Sequence, residues 1–149
     1  MFPHFLAAQD PVYSTVLAEL RGGDKQTHWM WFVFPQLEAL GRSATAKFYG
    51  IKDLEAARAY LADPVLGARL RDCVGIVLGV EGRSAHDIFH VPDDLKFRSC
   101  LTLFEAAASA SGAASTADRD LFAAALEKYY GGIRDPLTLD LLGNDRAAT

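Results

Sequence analysis

The chain is poor in the features that mark out many protein classes. Cysteine occurs only twice in 149 residues, at Cys73 and Cys100, both within helix-like spacing. A disulfide framework is thereby ruled out as the organising device, and the reducing cytosol is the expected compartment. No apolar run approaches the roughly 18 residues of a membrane-spanning helix, and the first residues lack the basic leader and long apolar stretch of a secretory signal. The expectation is a cytoplasmic protein with no membrane partner. Strand signals are equally scarce: β-branched residues are scattered, and no Asn-Gly or Asp-Gly turn joins alternating runs. Gly-x-Ser-x-Gly elbows, Walker loops and Gly-x-Gly-x-x-Gly fingerprints do not occur, which disfavours the common acyl-transfer and nucleotide-hydrolysing classes and implies no cofactor.

What the chain does have is helical spacing and one dense aromatic stretch. Lys25 to Gln36 holds both tryptophans and two of the nine phenylalanines, and every residue from Trp29 to Phe34 is apolar. On a helical wheel these side chains point to all sides, the pattern of a segment buried all round. The expectation is a central aromatic helix, capped by Thr27, stopped by Pro35, with His28 and Gln36 at its polar ends. Around it, Phe2 to Ala7 form an opening helix and Asp10-Pro11 start a second that ends at Gly22-Gly23. Ser43 caps a short segment through Tyr49, Asp53 a helix ending before Asp63-Pro64, and Pro64 opens one running to Gly79. Gly75 within that helix suggests close packing against a neighbour. Ser84 caps a turn through Phe89. Pro92-Asp93-Asp94 start a helix whose buried side carries Phe97, Leu101, Phe104 and Ala108. The Ala/Ser/Gly stretch from Ala106 to Ala117 has too little bulk to pack deeply, and its latter half reads as a loop. Leu121 to Tyr129 and a turn from Asp135-Pro136 through Leu142 complete the chain, with residues 144–149 expected to fray. The fold class is all-α, a single compact domain of about eight short and medium helices.

Net charge is −4, which argues against nucleic acid as a partner, but its distribution is uneven. Residues 21–71 carry eight basic against five acidic side chains, whereas residues 72–149 carry seven against twelve. The aromatic stretch lies in the net-basic third, where a local anion site is conceivable. Further along, Lys96, Arg98, Ser99 and Thr102 fall three or four apart on one helix side, opposite Phe97 and Phe104. Two cations with two hydroxyls suit a phosphate or carboxylate, arginine giving a two-pronged contact. The bland alternative is an intrahelical Asp94–Arg98 pair with a solvated lysine. His86 and His90 have the four-residue spacing of helical zinc ligands, but no third ligand is evident, and no metal is expected.

Several of these stretches carry a resemblance. Thr27 to Gln36, Leu40-Gly41-Arg42-Ser43, Phe48-Tyr49-Gly50-Ile51, Pro64 to Leu70, Asp93 to Phe104 and Arg134-Asp135-Pro136-Leu137-Thr138 together resemble the bacterial domain of unknown function 1810 family over roughly Phe5 to Gly143. Some members are labelled calpastatin, but calpastatin is a disordered inhibitor and the pattern here is that of a compact helical domain. The resemblance implies a single mainly helical domain without an assigned activity. It places His28, Trp29, Trp31, Gln36, Lys96, Arg98, Ser99 and Thr102 on motif positions, and Cys100 where serine is commoner.

Three functional readings result. In the first, an intracellular binding domain takes a small anionic, nucleotide-like molecule between the aromatic helix and the Lys96–Thr102 helix. Trp29 or Trp31 would stack, Lys96 and Arg98 with Ser99 and Thr102 would hold the anion, and His28 with Gln36 would orient it. In the second, an association of relatives with ADP-ribose-processing domains implies an enzyme acting on an ADP-ribose-type nucleotide derivative, with His28 as general acid or base. The third is a protein-interaction module without a pocket, marked by exposed tryptophans and a protein partner the sequence does not identify.

Overall fold

The structure, a computed structural model, describes residues 2–110 and 116–147. Ten α-helices follow one another: α1 (Pro3–Gln9), α2 (Tyr13–Arg21), α3 (Met30–Val33), α4 (Ala44–Phe48), α5 (Leu54–Ala62), α6 (Leu66–Leu78), α7 (Ala85–Phe89), α8 (Asp93–Ala110), α9 (Thr116–Tyr130) and α10 (Pro136–Ala147), with a 3₁₀ turn at Glu38–Leu40. Among the described residues there is no strand, only one bridge in which Leu37 pairs with Ile51. The all-α expectation holds.

Three helix starts follow directly from their capping residues. Ser43 accepts the Ala46 amide, Asp53 the Ala56 amide, and Ser84 forms a reciprocal capping box with Asp87. Three starts differ. The second helix begins at Tyr13, because Asp10 and Pro11 complete the turn that ends α1, α6 begins at Leu66, two residues after Pro64, and α9 begins at Thr116, five residues before Leu121. The last helix runs to Ala147, beyond Leu142; Ala148 and Thr149 lie outside the described residues, as do residues 111–115 of the expected loop.

The aromatic stretch is not the axis of the fold. Its helical part is the single turn of α3, capped by no side chain, since Thr27 is engaged elsewhere and Pro35 follows at once. The central element is α8, which packs against α5, α7, α9 and α10. Phe97, Cys100, Leu101, Leu103, Phe104, Ala107 and Ala108 are all buried, so α8 is covered on most of its circumference. Ala107 and Ala108 pack deeply despite their size, where small side chains suit the close approach of neighbouring backbone. Both thiols are free and buried; burial pushes Cys73 up to about 12 and Cys100 well above its ordinary value, which makes them inert core groups. Gly75, expected at a tight contact, faces open space. The tight glycine on α6 is Gly67, where an added Cβ would run into the Leu61 carbonyl.

Candidate functional site

Residues 24–29 follow α2 without regular structure, and one carboxylate orders them. Glu19 Oε1 accepts the Gln26 amide at 2.7 Å, the Thr27 amide at 3.0 Å and the Trp29 indole N–H at 3.0 Å, while Oε2 accepts the Thr27 hydroxyl at 2.7 Å. Partial burial pushes the Glu19 carboxyl up, but the contacts from Thr27, Gln26 and Trp29 outweigh it and hold it below its ordinary value. Trp29 is thereby fixed in the core, 1% exposed, beside Phe34. It is not free to stack on a ligand, contrary to expectation. His28 is exposed rather than the polar end of a buried plug. Trp31, the next residue but one from Trp29, is half-buried.

Across from this segment lies the N-terminal half of α8. Arg98 turns toward Asp135, at the start of α10, with Nη2 to Oδ1 at 3.5 Å. Asp135 also accepts the Ser99 hydroxyl at 3.1 Å, the Thr138 amide at 3.1 Å and the Thr138 hydroxyl at 2.6 Å. Thr102 donates to the Arg98 carbonyl and accepts the Asp135 amide at 3.0 Å. The two hydroxyls expected to grip an anion therefore hold α10 against α8, and Thr102, 1% exposed, is out of a ligand's reach. Arg98 is not paired with Asp94, which instead faces His86. The Arg98 Nε is buried with no hydrogen-bond acceptor, an uncommon state for a charged donor.

Two cavities open here. The larger, of about 520 Å³, is lined by five of the seven expected ligand-binding residues, Trp31, Gln36, Lys96, Arg98 and Ser99, together with Asp135 and apolar walls from Leu40, Leu95 and Leu137. The Leu37–Ile51 bridge closes the excursion that brings Arg42 and Ser43 to its rim. Arg42 has no ion-pair partner, and the Gln36 amide no hydrogen bond, among the described residues. The smaller cavity, of about 360 Å³, is lined by Lys25, Gln26, His28, His90 and Asp93, and shares Trp31, Pro92 and Lys96 with the larger. Lys96 Nζ lies 5.4 Å from the Trp31 ring centre and 3.5 Å from Asp93, which is also bound by Lys25 at 2.9 Å. Such a site offers cations and one flat ring beside apolar walls, a combination that suits a flat anionic molecule.

The profile of the family described as "protein of unknown function (DUF1810)" matches residues 2–142. The chain belongs to this family. It is similar to the crystal structure of the conserved hypothetical protein Rv1873 from Mycobacterium tuberculosis, with 50% identity, 95% of each chain covered and a TM-score of 0.86. No curated protein matches it.

Within this DUF1810 chain, sequence reasoning missed Asp135 and Arg42 as members of the site. Both lay inside quoted stretches, Arg-Asp-Pro-Leu-Thr and Leu-Gly-Arg-Ser, and their presence there was the available signal. Lys25 was missed too, because a lysine 8% exposed is rare and nothing in its sequence neighbours announces the buried pair with Asp93. His86 and His90 diverge: His86 faces Asp94 at 3.7 Å and His90 faces Asp24 at 2.8 Å. No helix among the described residues is long and apolar enough to cross a membrane.

Proposed function

We propose that the protein binds a small anionic molecule with a flat, nucleotide-like body in the larger cavity. Trp31 supplies the stacking face, Arg98, Lys96 and Arg42 the positive charge, and Gln36 a free amide to orient the ligand. The observation that carries this reading is the meeting of Trp31, Gln36, Lys96 and Arg98 on the walls of one cavity: a half-buried indole, a free amide and two cations within a single recess that leucines also line. Thermal-shift measurements with nucleotides, ADP-ribose and sugar phosphates test it. A ligand at about a hundred times its dissociation constant adds about 2.7 kcal/mol, several degrees for a domain of this size. The shift should vanish in Arg98→Ala. Silence across the panel, or a shift that survives in Arg98→Ala, overturns the site.

An enzyme reading draws on His28, whose imidazole lines the adjoining cavity within the same wall system as Trp31 and Lys96. Turnover of an ADP-ribose derivative with a bell-shaped pH profile, abolished in His28→Gln, would support it. The burial of Trp29 and the presence of a cavity beside Trp31 weigh against the pocketless interaction module.

A further inference from the structure

Lys96 stands where the two cavities meet, and its surroundings differ on the two sides. Toward the larger cavity lie three leucines, Arg42 and Arg98; toward the smaller lie two imidazoles, the Gln26 amide and the Lys25–Asp93 pair together with Met30 and Phe89, and the Trp31 indole is common to both. One side suits a flat apolar group. The other suits a group rich in hydroxyls, which needs donors and acceptors in close succession. Each cavity by itself exceeds the roughly 300 Å³ at which ligand pockets begin. Taken together their walls carry four cations, Lys25, Arg42, Lys96 and Arg98, against two carboxylates, Asp93 and Asp135, in a chain of net charge −4. The joint walls are thus net positive, and Lys96 is the cation common to both cavities.

The seam has further marks of a ligand contact. Besides its place over the Trp31 ring, Lys96 makes a 3.5 Å approach to Asp93, where Lys25 holds the closer position, so its ammonium keeps donors for an incoming oxygen. His90 has φ of +65° and ψ of 173°, a backbone conformation that ordinarily only glycine adopts. Such strain persists where surrounding structure enforces it, commonly at ligand sites. Here it sets an imidazole on the wall of the small cavity, and the contact with Asp24 at 2.8 Å fixes the ring.

We infer that the two cavities are halves of one site, and that its ligand is a two-part molecule whose flat half and hydroxyl-rich half are joined by a diphosphate-like link lying at Lys96. This rests on the binding reading proposed above and specifies its ligand class. The larger half receives the base-like ring against Trp31, Arg98 and Lys96 meet the link, and His28 and His90 contact the sugar-like half.

Calorimetric titration with AMP, ADP and ADP-ribose separates the pieces, since each probe adds one part to the last. Affinity should rise at each step, with ADP-ribose binding about tenfold tighter than ADP, the worth of one or two hydrogen bonds. His28→Ala combined with His90→Gly should bring ADP-ribose down to the affinity that the same variant has for ADP, closing the gap between the two probes. Glycine at position 90 adopts the observed backbone freely, and a single cooperative melting transition establishes that the variant is folded. Equal binding of ADP and ADP-ribose by the natural chain overturns the two-part inference alone, as does a gap that survives in the double variant. Failure of all three probes to bind overturns the cavity as a nucleotide site, and the inference with it.

Discussion

In the bundle around α8, burial follows a period: Phe97, Leu101, Phe104 and Ala108 recur every three or four residues and each is at most 1% exposed. In the shelf made by residues 24–43 no such period exists. Regular structure shrinks to one turn of helix and one 3₁₀ turn, and order is imposed from outside by single polar groups. Glu19 gathers three hydrogen-bond donors of the 26–29 segment through one oxygen, and Asp135 gathers Ser99, Thr138 and Arg98 where α10 meets the cavity. Stability in the bundle is spread over many apolar contacts, any one of which is replaceable in kind. On the shelf a few carboxylates decide the geometry. The candidate site lies where this shelf meets the N-terminal half of α8.

The contrast is sharpest at Phe104. Truncation to alanine should cost about 3–5 kcal/mol in urea denaturation; a loss near that of an ordinary surface change would mean that the bundle does not carry the fold. Asp135→Ala comes next, at about 2–3 kcal/mol, because the Ser99 and Thr138 donors lose their acceptor and α10 its cap. Asp135→Asn should recover part of this, since the amide oxygen still accepts. If alanine were tolerated at 135, the junction of α10 with α8 would be held by packing after all. The two α6 glycines should respond with opposite sign. Gly75→Ala stabilises by about 0.5–1 kcal/mol, having open space and better helix propensity, while Gly67→Ala destabilises against the Leu61 carbonyl; melting temperatures distinguish them.

Glu19 gives a pH signature. Its folded pKa lies below the ordinary 4.5, so the unfolded chain takes up the proton first as pH falls. The stabilisation is complete above 4.5 and is lost as pH drops through 4.5 toward the folded value. Stability of Glu19→Gln measured from pH 7 to 3 should be flatter than that of the natural chain; parallel curves would remove Glu19 from its organising role. Trp31→Phe should have the smallest effect on folding, within about 0.5 kcal/mol, yet weaken ligand binding. It leaves Trp29 as the one indole, so any ligand-dependent change in tryptophan fluorescence should disappear with it.

The caps at Ser43, Asp53 and Ser84 and the apolar spacing of α2, α5, α6 and α8 were legible because they are local: a cap acts over three residues and an apolar stripe over one helix. The aromatic stretch misled for the same reason. A wheel drawn on Trp29 to Phe34 assumes a helix, but the segment has one turn before Pro35, and Trp29 is drawn into the core by Glu19, ten residues earlier. Thr102 misled because spacing places a hydroxyl on a helix face without saying which partner takes it.

The sequence by itself determined the all-α class, most helix boundaries, the membership of the family and five residues of the candidate site, since propensity, capping and periodicity act within single elements. Tertiary structure alone decided that α8 and not the aromatic stretch is the centre, that Asp135 rather than Asp94 meets Arg98, and that Trp31 rather than Trp29 borders a cavity. Those outcomes depend on which groups far apart in the chain come within hydrogen-bonding distance, and no local pattern encodes that.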